Sequence, residues 1–112
     1  MIRPFRLSSR GVLTALALFA AAPLLAQQPS FDCTKASTPT EFAICGSPTL
    51  AQLDREIAAA YTVRRDALGA SDRAALLAAQ RDWLATRDQC GGDPACIEAM
   101  MRLRLSQIGP AY

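Results

Sequence analysis

Four cysteines stand in a short chain, and their positions limit what it can fold into. Two of them, Cys90 and Cys96, flank a Gly-Gly corner in WLATRDQCGGDPAC, residues 83–96. The other two, Cys33 and Cys45, bracket a short segment that begins like a helix. Metal ligands, a redox pair and covalent staples each ask for a different spacing. Eleven residues separate Cys33 from Cys45 and five separate Cys90 from Cys96, so neither pair has the two-residue gap of common zinc knuckles or thiol catalysts. No histidine occurs in the chain, which removes a frequent zinc ligand and the commonest general base. Staples are the expected reading, and they need an oxidising compartment.

The N-terminus points to one. MIRPFRLSSR carries Arg3, Arg6 and Arg10 without an acid, GVLTALALFAAAPLLA is an uncharged apolar run, and QQPS is polar again. That order is the pattern of a secretory signal peptide. Residues 1–26 are expected to be cleaved after Ala26, leaving residues 27–112 as one small domain, periplasmic or secreted. Pro23 and the marginal length of the apolar run disfavour an uncleaved anchor, so no membrane association is expected after cleavage. Cys33 lies seven positions past Ala26, too far for lipid attachment at the cleavage site.

Cleavage also changes the charge balance. Three of the 12 Lys+Arg precede Gln27 and none of the 10 acids does, so the remaining chain carries a net −1. No basic stripe with interleaved aromatics is present, and nucleic-acid binding is not expected.

Helix signals recur along residues 27–112. QQPSFDCTKAS reads as an extended lead-in. In TPTEFAIC, Thr38 suits an N-cap, Pro39 the first helical position and Glu41 the third residue of a capping box. This helix should end near Cys45, before Gly46. Ser47 and Pro48 start the next, with Leu50, Leu53, Ile57, Tyr61 and Leu68 at helical period up to Gly69. Ser71 is expected to cap a third helix carrying Leu76, Leu77, Gln80, Trp83, Leu84, Arg87 and Cys90. Asp93 and Pro94 open the last, with Ile97, Met101, Leu105 and Ile108 before GPAY stops it.

No alternating β-branched run appears. The expected fold is therefore all-α: a small helical bundle of two long antiparallel helices, a short leading helix and a C-terminal helix, stapled by two disulfides. At this size a single core is marginal and staples are common. Four cysteines allow three connectivities. Cys33–Cys45 and Cys90–Cys96 are the expected pairs, because each would clamp a local helix corner; spacing alone leaves the crossed pairings open.

The remaining notable side chains read as structural. Trp83, the only tryptophan, is expected to fill the core, with Arg87 one turn on, stacking on the indole or bonding helix-end carbonyls. Arg104, between Leu103 and Leu105, reads as a half-buried arginine bonding backbone or acid groups of a neighbouring helix. Glu98 and Arg102 are spaced as a surface helix pair, YTVRRDALGASDR as a solvated face, and Met100 and Met101 as core filling. Asp82 and Asp88 are six residues apart, on different faces of one helix. No catalytic, metal-binding or cofactor-binding constellation emerges, and the chain is not expected to be an enzyme.

The blocks FDCTKASTPTEFAIC, LAQLDREIAAAY and QRDWLATRDQCGGDPACIEAMMRLRL together resemble the small exported domain named for the LprI lysozyme inhibitor, from about Phe31 to Leu105. The first block matches at Phe31, Cys33, Lys35, Ala36, Glu41, Ile44 and Cys45, and the second at Leu50, Leu53, Asp54 and Tyr61. The third matches at Gln80, Arg81, Trp83, Leu84, Arg87, Cys90, Cys96, Ile97, Arg104 and Leu105, and is the most specific of the three. Met101 departs from the pattern, standing where an aromatic, often Tyr, is found.

The resemblance implies a non-catalytic protein that binds lysozyme or a related wall-cleaving enzyme. The matching positions look like scaffold, so no inhibitory residue is carried over. A lysozyme cleft holds two carboxylates, which favours an inserted cation or hydrogen-bonding loop. The net −1 offers little overall attraction to a basic lysozyme, though Asp82, Asp88, Asp93 and Glu98 can supply some locally. The alternative is a periplasmic structural or accessory module that binds another envelope protein.

Overall fold

The computed structural model describes residues 28–109 together with Gly11, so the expected signal peptide at 1–26 otherwise lies outside the described residues. Among them the regular elements are all helical: a 3₁₀ turn at Cys33–Lys35, then α1 (Pro39–Cys45), α2 (Pro48–Ala67), α3 (Ala70–Asp88) and α4 (Pro94–Ile108). This is the all-α bundle that the periodicity predicts, with Cys33–Cys45 and Cys90–Cys96 both bonded.

The starts of three helices follow from local chemistry. Thr38, Ser47 and Asp93 each sit in extended backbone, turn a side-chain oxygen onto amides of the following turn, and are followed by Pro. Such caps satisfy donors that a helix leaves orphaned, typically worth about 1 kcal/mol each. The capping box is only half made. Thr38 Oγ1 accepts from the Glu41 amide at 3.1 Å, while the Glu41 carboxylate accepts from the Ser37 hydroxyl at 3.3 Å. The lead-in also contains one feature beyond the extended chain expected there. Asp32 caps the 3₁₀ turn by accepting from both the amide and the hydroxyl of Thr34.

The third start corrects the sequence reading. α3 begins at Ala70 with Gly69 as its N-cap, no side chain caps it, and Ser71 lies inside the first turn. Leu68 is already extended, so the helix starts two residues earlier than a Ser71 cap requires. Arg73 closes the corner, its Nε donating to the carbonyls of Arg65 and Leu68 at 2.9 and 2.8 Å. At the other end, α3 stops at Asp88 and Cys90 lies just past it in the turn.

Hydrogen bonds fix the helix directions. Thr40 of α1 donates to the Gly91 carbonyl just before α4, whereas Arg64 near the end of α2 donates to the Ile108 carbonyl at the end of α4. Thus α2 and α4 run the same way and α3 runs back. α4 packs most extensively along α2 and also against α3, so the two long helices meet chiefly through it. Ile44, Leu50, Leu53, Ile57, Trp83, Ile97 and Met101 make the core, with Phe31, Leu84, Met100 and Leu105 closing around it.

Several periodic positions lie outside that core. Tyr61, Leu68 and Leu76 are only half-buried, and Leu77 is 39% exposed. α4 ends at Ile108, beside Arg64, and beyond that point no third helix among the described residues covers α2 and α3.

Candidate functional site

One end of the bundle is built as a rigid corner. Both disulfides lie there, with Cα–Cα distances of 5.9 Å for Cys33–Cys45 and 5.6 Å for Cys90–Cys96. Between Cys90 and Cys96 the chain turns through Gly91 at φ +58, a left-handed conformation that a Cβ makes costly. Thr40, fully buried, ties the corner to α1 by donating to the Gly91 carbonyl at 2.6 Å. Sequence reasoning missed Thr40, because its partner is 51 residues away and a threonine in a first helical turn has no distinguishing signal. It also missed the second anchor of the lead-in: buried Asp54 accepts from the Ser30 amide, and Arg55 donates to the Gln28 carbonyl.

Trp83 is buried in the core, its indole N–H donating to the Met100 carbonyl at 3.3 Å. The Arg87 guanidinium stacks 5.6 Å from the Trp83 ring centroid. Of its two expected roles Arg87 takes the stacking; its hydrogen bonds go to the Asp88 carboxylate, at 3.0 Å from Nε and 2.8 Å from Nη2, rather than to carbonyls. Together Trp83, Arg87 and Asp88 lock the last turn of α3 under the corner.

The stapled end is acidic on its surface. Glu41 in the first turn of α1, Asp88 at the end of α3, the α4 cap Asp93 and Glu98 in the second turn of α4 lie around the corner, with Glu56 and Asp82 further along α2 and α3, all exposed or half-exposed. Glu98 is engaged with Arg102, 3.6 Å away on the same exposed helix face. Phe42 on α1 is 60% exposed, a large apolar group left in solvent on the best-braced part of the fold. Asp32, on the lead-in, is held below the usual carboxylate range by the bonds it accepts from Thr34, the hydroxyl first and then the amide.

The opposite end carries charges of both signs: Arg64, Arg65 and Arg73 sit there with Asp72 and with Asp66, which pairs with Arg65 at 3.2 Å. A groove of about 360 Å³ runs between Ala60, Val63, Arg64, Ala67, Leu68, Ile108 and Gly109. Arg104 lies one turn before Ile108 and is only 8% exposed. It bonds neither backbone nor acid, contrary to expectation: its Nε donates to Gln80 Oε1 at 3.0 Å, and its Nη2 has no partner among the described residues. The residue that could have met a carboxylate requirement, position 80, is an amide. Burial, and then the nearby Arg64 charge, lower the Arg104 pKa.

Among the described residues there is no free cysteine, no group of three or more His, Cys, Asp or Glu placed to hold a metal, and no helix long and apolar enough to cross a membrane. The features that remain are a braced corner that carries several acids and an apolar groove with Arg64 in its lining.

Known proteins place this architecture. The family model described as "Lysozyme inhibitor LprI" matches residues 33–108, from the first disulfide cysteine to the last turn of α4. The chain is similar to proteins named "Lipoprotein LprI" from Mycobacterium bovis and from two strains of Mycobacterium tuberculosis, 37% identical over 85 residues in each case. That match covers 73% of this chain and 42% of each relative, so the chain spans less than half the length of these curated relatives. No solved structure matches. The chain belongs to the family described as Lysozyme inhibitor LprI.

Proposed function

We propose that this is an exported binding protein that inhibits lysozyme, or a related wall-cleaving enzyme, by occupying it without catalysis. One observation carries the reading: the lysozyme-inhibitor family model spans the whole stapled bundle, residues 33–108, rather than a fragment of it. The geometry supports it in two ways. An inhibitor gains affinity by being ordered before it binds, and disulfides, caps and the Thr40–Gly91 bond hold the corner in one shape. The acids around that corner complement a basic enzyme, and exposed Phe42 supplies an aromatic of the kind that anchors interfaces.

Export through residues 1–26 belongs to the same proposal, since both disulfides need an oxidising space. The test is a lysis assay in which oxidised residues 27–112 are titrated against a c-type lysozyme on a cell-wall suspension. A sharp end point near equimolar ratio is expected, with Phe42→Ala and Asp82→Lys moving it to higher ratios. Absence of inhibition at large excess would refute the reading and favour an accessory module for another envelope protein.

A further inference from the structure

The stapled end holds a cation that nothing in the fold uses. Lys35, the chain's single lysine, is the last residue of the 3₁₀ turn Cys33–Lys35 and is exposed. Among the described residues its ammonium has no hydrogen bond and no acid within ion-pair distance. The acids nearest in sequence are engaged elsewhere: the Asp32 carboxylate accepts from Thr34, and that of Glu41 from Ser37. The backbone beneath Lys35 is fixed all the same. Asp32 caps the turn, the Ala36 amide donates to the Cys33 carbonyl at 3.2 Å, and Cys33–Cys45 fastens the turn to α1. A free charge on a clamped backbone loses little order when it meets a partner of opposite sign.

The other cations are committed or misplaced. Arg55 donates to the Gln28 carbonyl, Arg87 stacks on Trp83 and bonds Asp88, and Arg102 pairs with Glu98. Arg81 has no partner among the described residues, but it lies about two turns before the end of α3, on the flank of a regular helix that cannot enter a narrow cleft as a turn can. On the inhibitor reading, we propose that Lys35 enters the catalytic cleft of the target enzyme and that its ammonium bridges the two carboxylates there. A retaining glycosidase holds those groups about 5–5.5 Å apart. A charge-assisted N–H···O bond spans about 2.7–2.9 Å, so one ammonium placed between them reaches both. Lysine suits the place better than arginine, because its charge is compact, its three donors rotate and its stem is slender. The acids around the corner then face the basic surface outside the cleft, so each sign of charge meets its opposite.

The single lysine makes the test selective. Oxidised residues 27–112 are titrated against a c-type lysozyme in the lysis assay, unaltered and as Lys35→Gln, Lys35→Arg and, with the same loss of charge at the opposite end, Arg65→Gln. Lysine acetylation of the free and complexed chain is followed by mass spectrometry of the peptide that contains residue 35. Lys35→Gln should weaken inhibition about thirtyfold or more, the loss expected when one partner of an enclosed charge pair is removed. Lys35→Arg should retain more inhibition than Lys35→Gln, and Arg65→Gln should match the unaltered chain. Lysozyme should protect Lys35 from acetylation, and a chito-oligosaccharide that fills the cleft should restore it. Because the Lys35 ammonium bonds to nothing in the free protein, Lys35→Gln should leave the urea midpoint unchanged, which separates lost contact from lost fold.

Inhibition by the unaltered chain that survives intact in Lys35→Gln, or Lys35 still open to acetylation in the complex, would overturn the cleft assignment and leave the inhibitor reading standing. No inhibition by the unaltered chain would overturn both.

Discussion

Replacing Arg104 by Met should make this protein more stable, the reverse of what a buried substitution ordinarily does. The guanidinium is 8% exposed, has one side-chain hydrogen bond, to Gln80, and leaves Nη2 without a partner. Leaving a buried charged donor unsatisfied costs about 1–3 kcal/mol, and the one bond to Gln80 returns about 1.5–3 kcal/mol at most. That bond does not cover the further cost of desolvating the charge, which is several kcal/mol for a buried ion. Met keeps the length and the apolar stem, and Gln80 is half-buried, so water can replace its lost donor. Arg104→Met should therefore gain about 1 kcal/mol, or about 4–8 °C in Tm for a domain of this size.

The pH dependence follows from the direction of the shift. Burial and Arg64 lower the Arg104 pKa, so the folded state disfavours its proton relative to the unfolded chain. For a base, that penalty is fully present below the folded-state pKa and lifts only as pH rises towards the unfolded value, far above neutrality. The gain should thus be constant between about pH 5 and pH 9. The assay is urea unfolding of oxidised residues 27–112 and of the variant, followed by Trp83 fluorescence and checked by circular dichroism. A loss of more than about 2 kcal/mol would refute the reasoning, because it would mean that the guanidinium holds the bundle together.

Three further outcomes are expected. In the chain-entropy model, removing Cys33–Cys45, with a sequence separation of 12, costs about 2.9 kcal/mol, and removing Cys90–Cys96, with a separation of 6, about 2.4 kcal/mol; paired Cys→Ala variants in urea give both values, and the reverse order would contradict the model. Ser47→Ala should cost about 1 kcal/mol and Ser71→Ala less than about 0.5 kcal/mol, since only the first caps a helix; equal losses would restore Ser71 as a cap. Asp32 should titrate below the usual carboxylate range, supporting the folded state above the unfolded Asp pKa and losing that support as pH falls through the folded one, with Thr34→Val moving it upward; carbon-detected resonance titration of the carboxyl reads this directly.

How much of this was legible in the sequence depended on how far apart the interacting residues lie. Thr38, Ser47 and Asp93 bond within their own first turns, and each cysteine pair closes a loop between adjacent elements, so local patterns revealed them. The corner at Gly69 misled because its closure comes from Arg73, a side chain reaching back to carbonyls of the preceding helix. Leu77 matched the period of α3 but not its surroundings, because periodicity tells which face a residue shares and not whether another helix reaches it. Arg104 was recognised as unusual from its apolar neighbours, yet its partner is 24 residues away. Gln80 was on the page beside Trp83 and Arg87, but nothing local tells that an amide rather than an acid faces a buried arginine. The groove was invisible for the same reason, being formed where α2 and α4 end together.

Both covalent links sit at one end of the bundle, and the segment from Gly46 to Gln89 contains neither. Its far tip, around Leu68 and Gly69, is held by two carbonyl bonds from Arg73 and has little buried beneath it. Local opening is cheapest where buried contacts are few, so amide exchange and proteolytic nicking should begin at this tip while the corner stays closed. The same grading gives evolution unequal freedom along one molecule. Residues can be exchanged or added around Gly69 without disturbing the disulfides, whereas a change at Gly91 or Thr40 alters the corner at once. Variation in chain length is therefore expected at the hairpin tip and constancy at the stapled end, which an alignment of relatives would check.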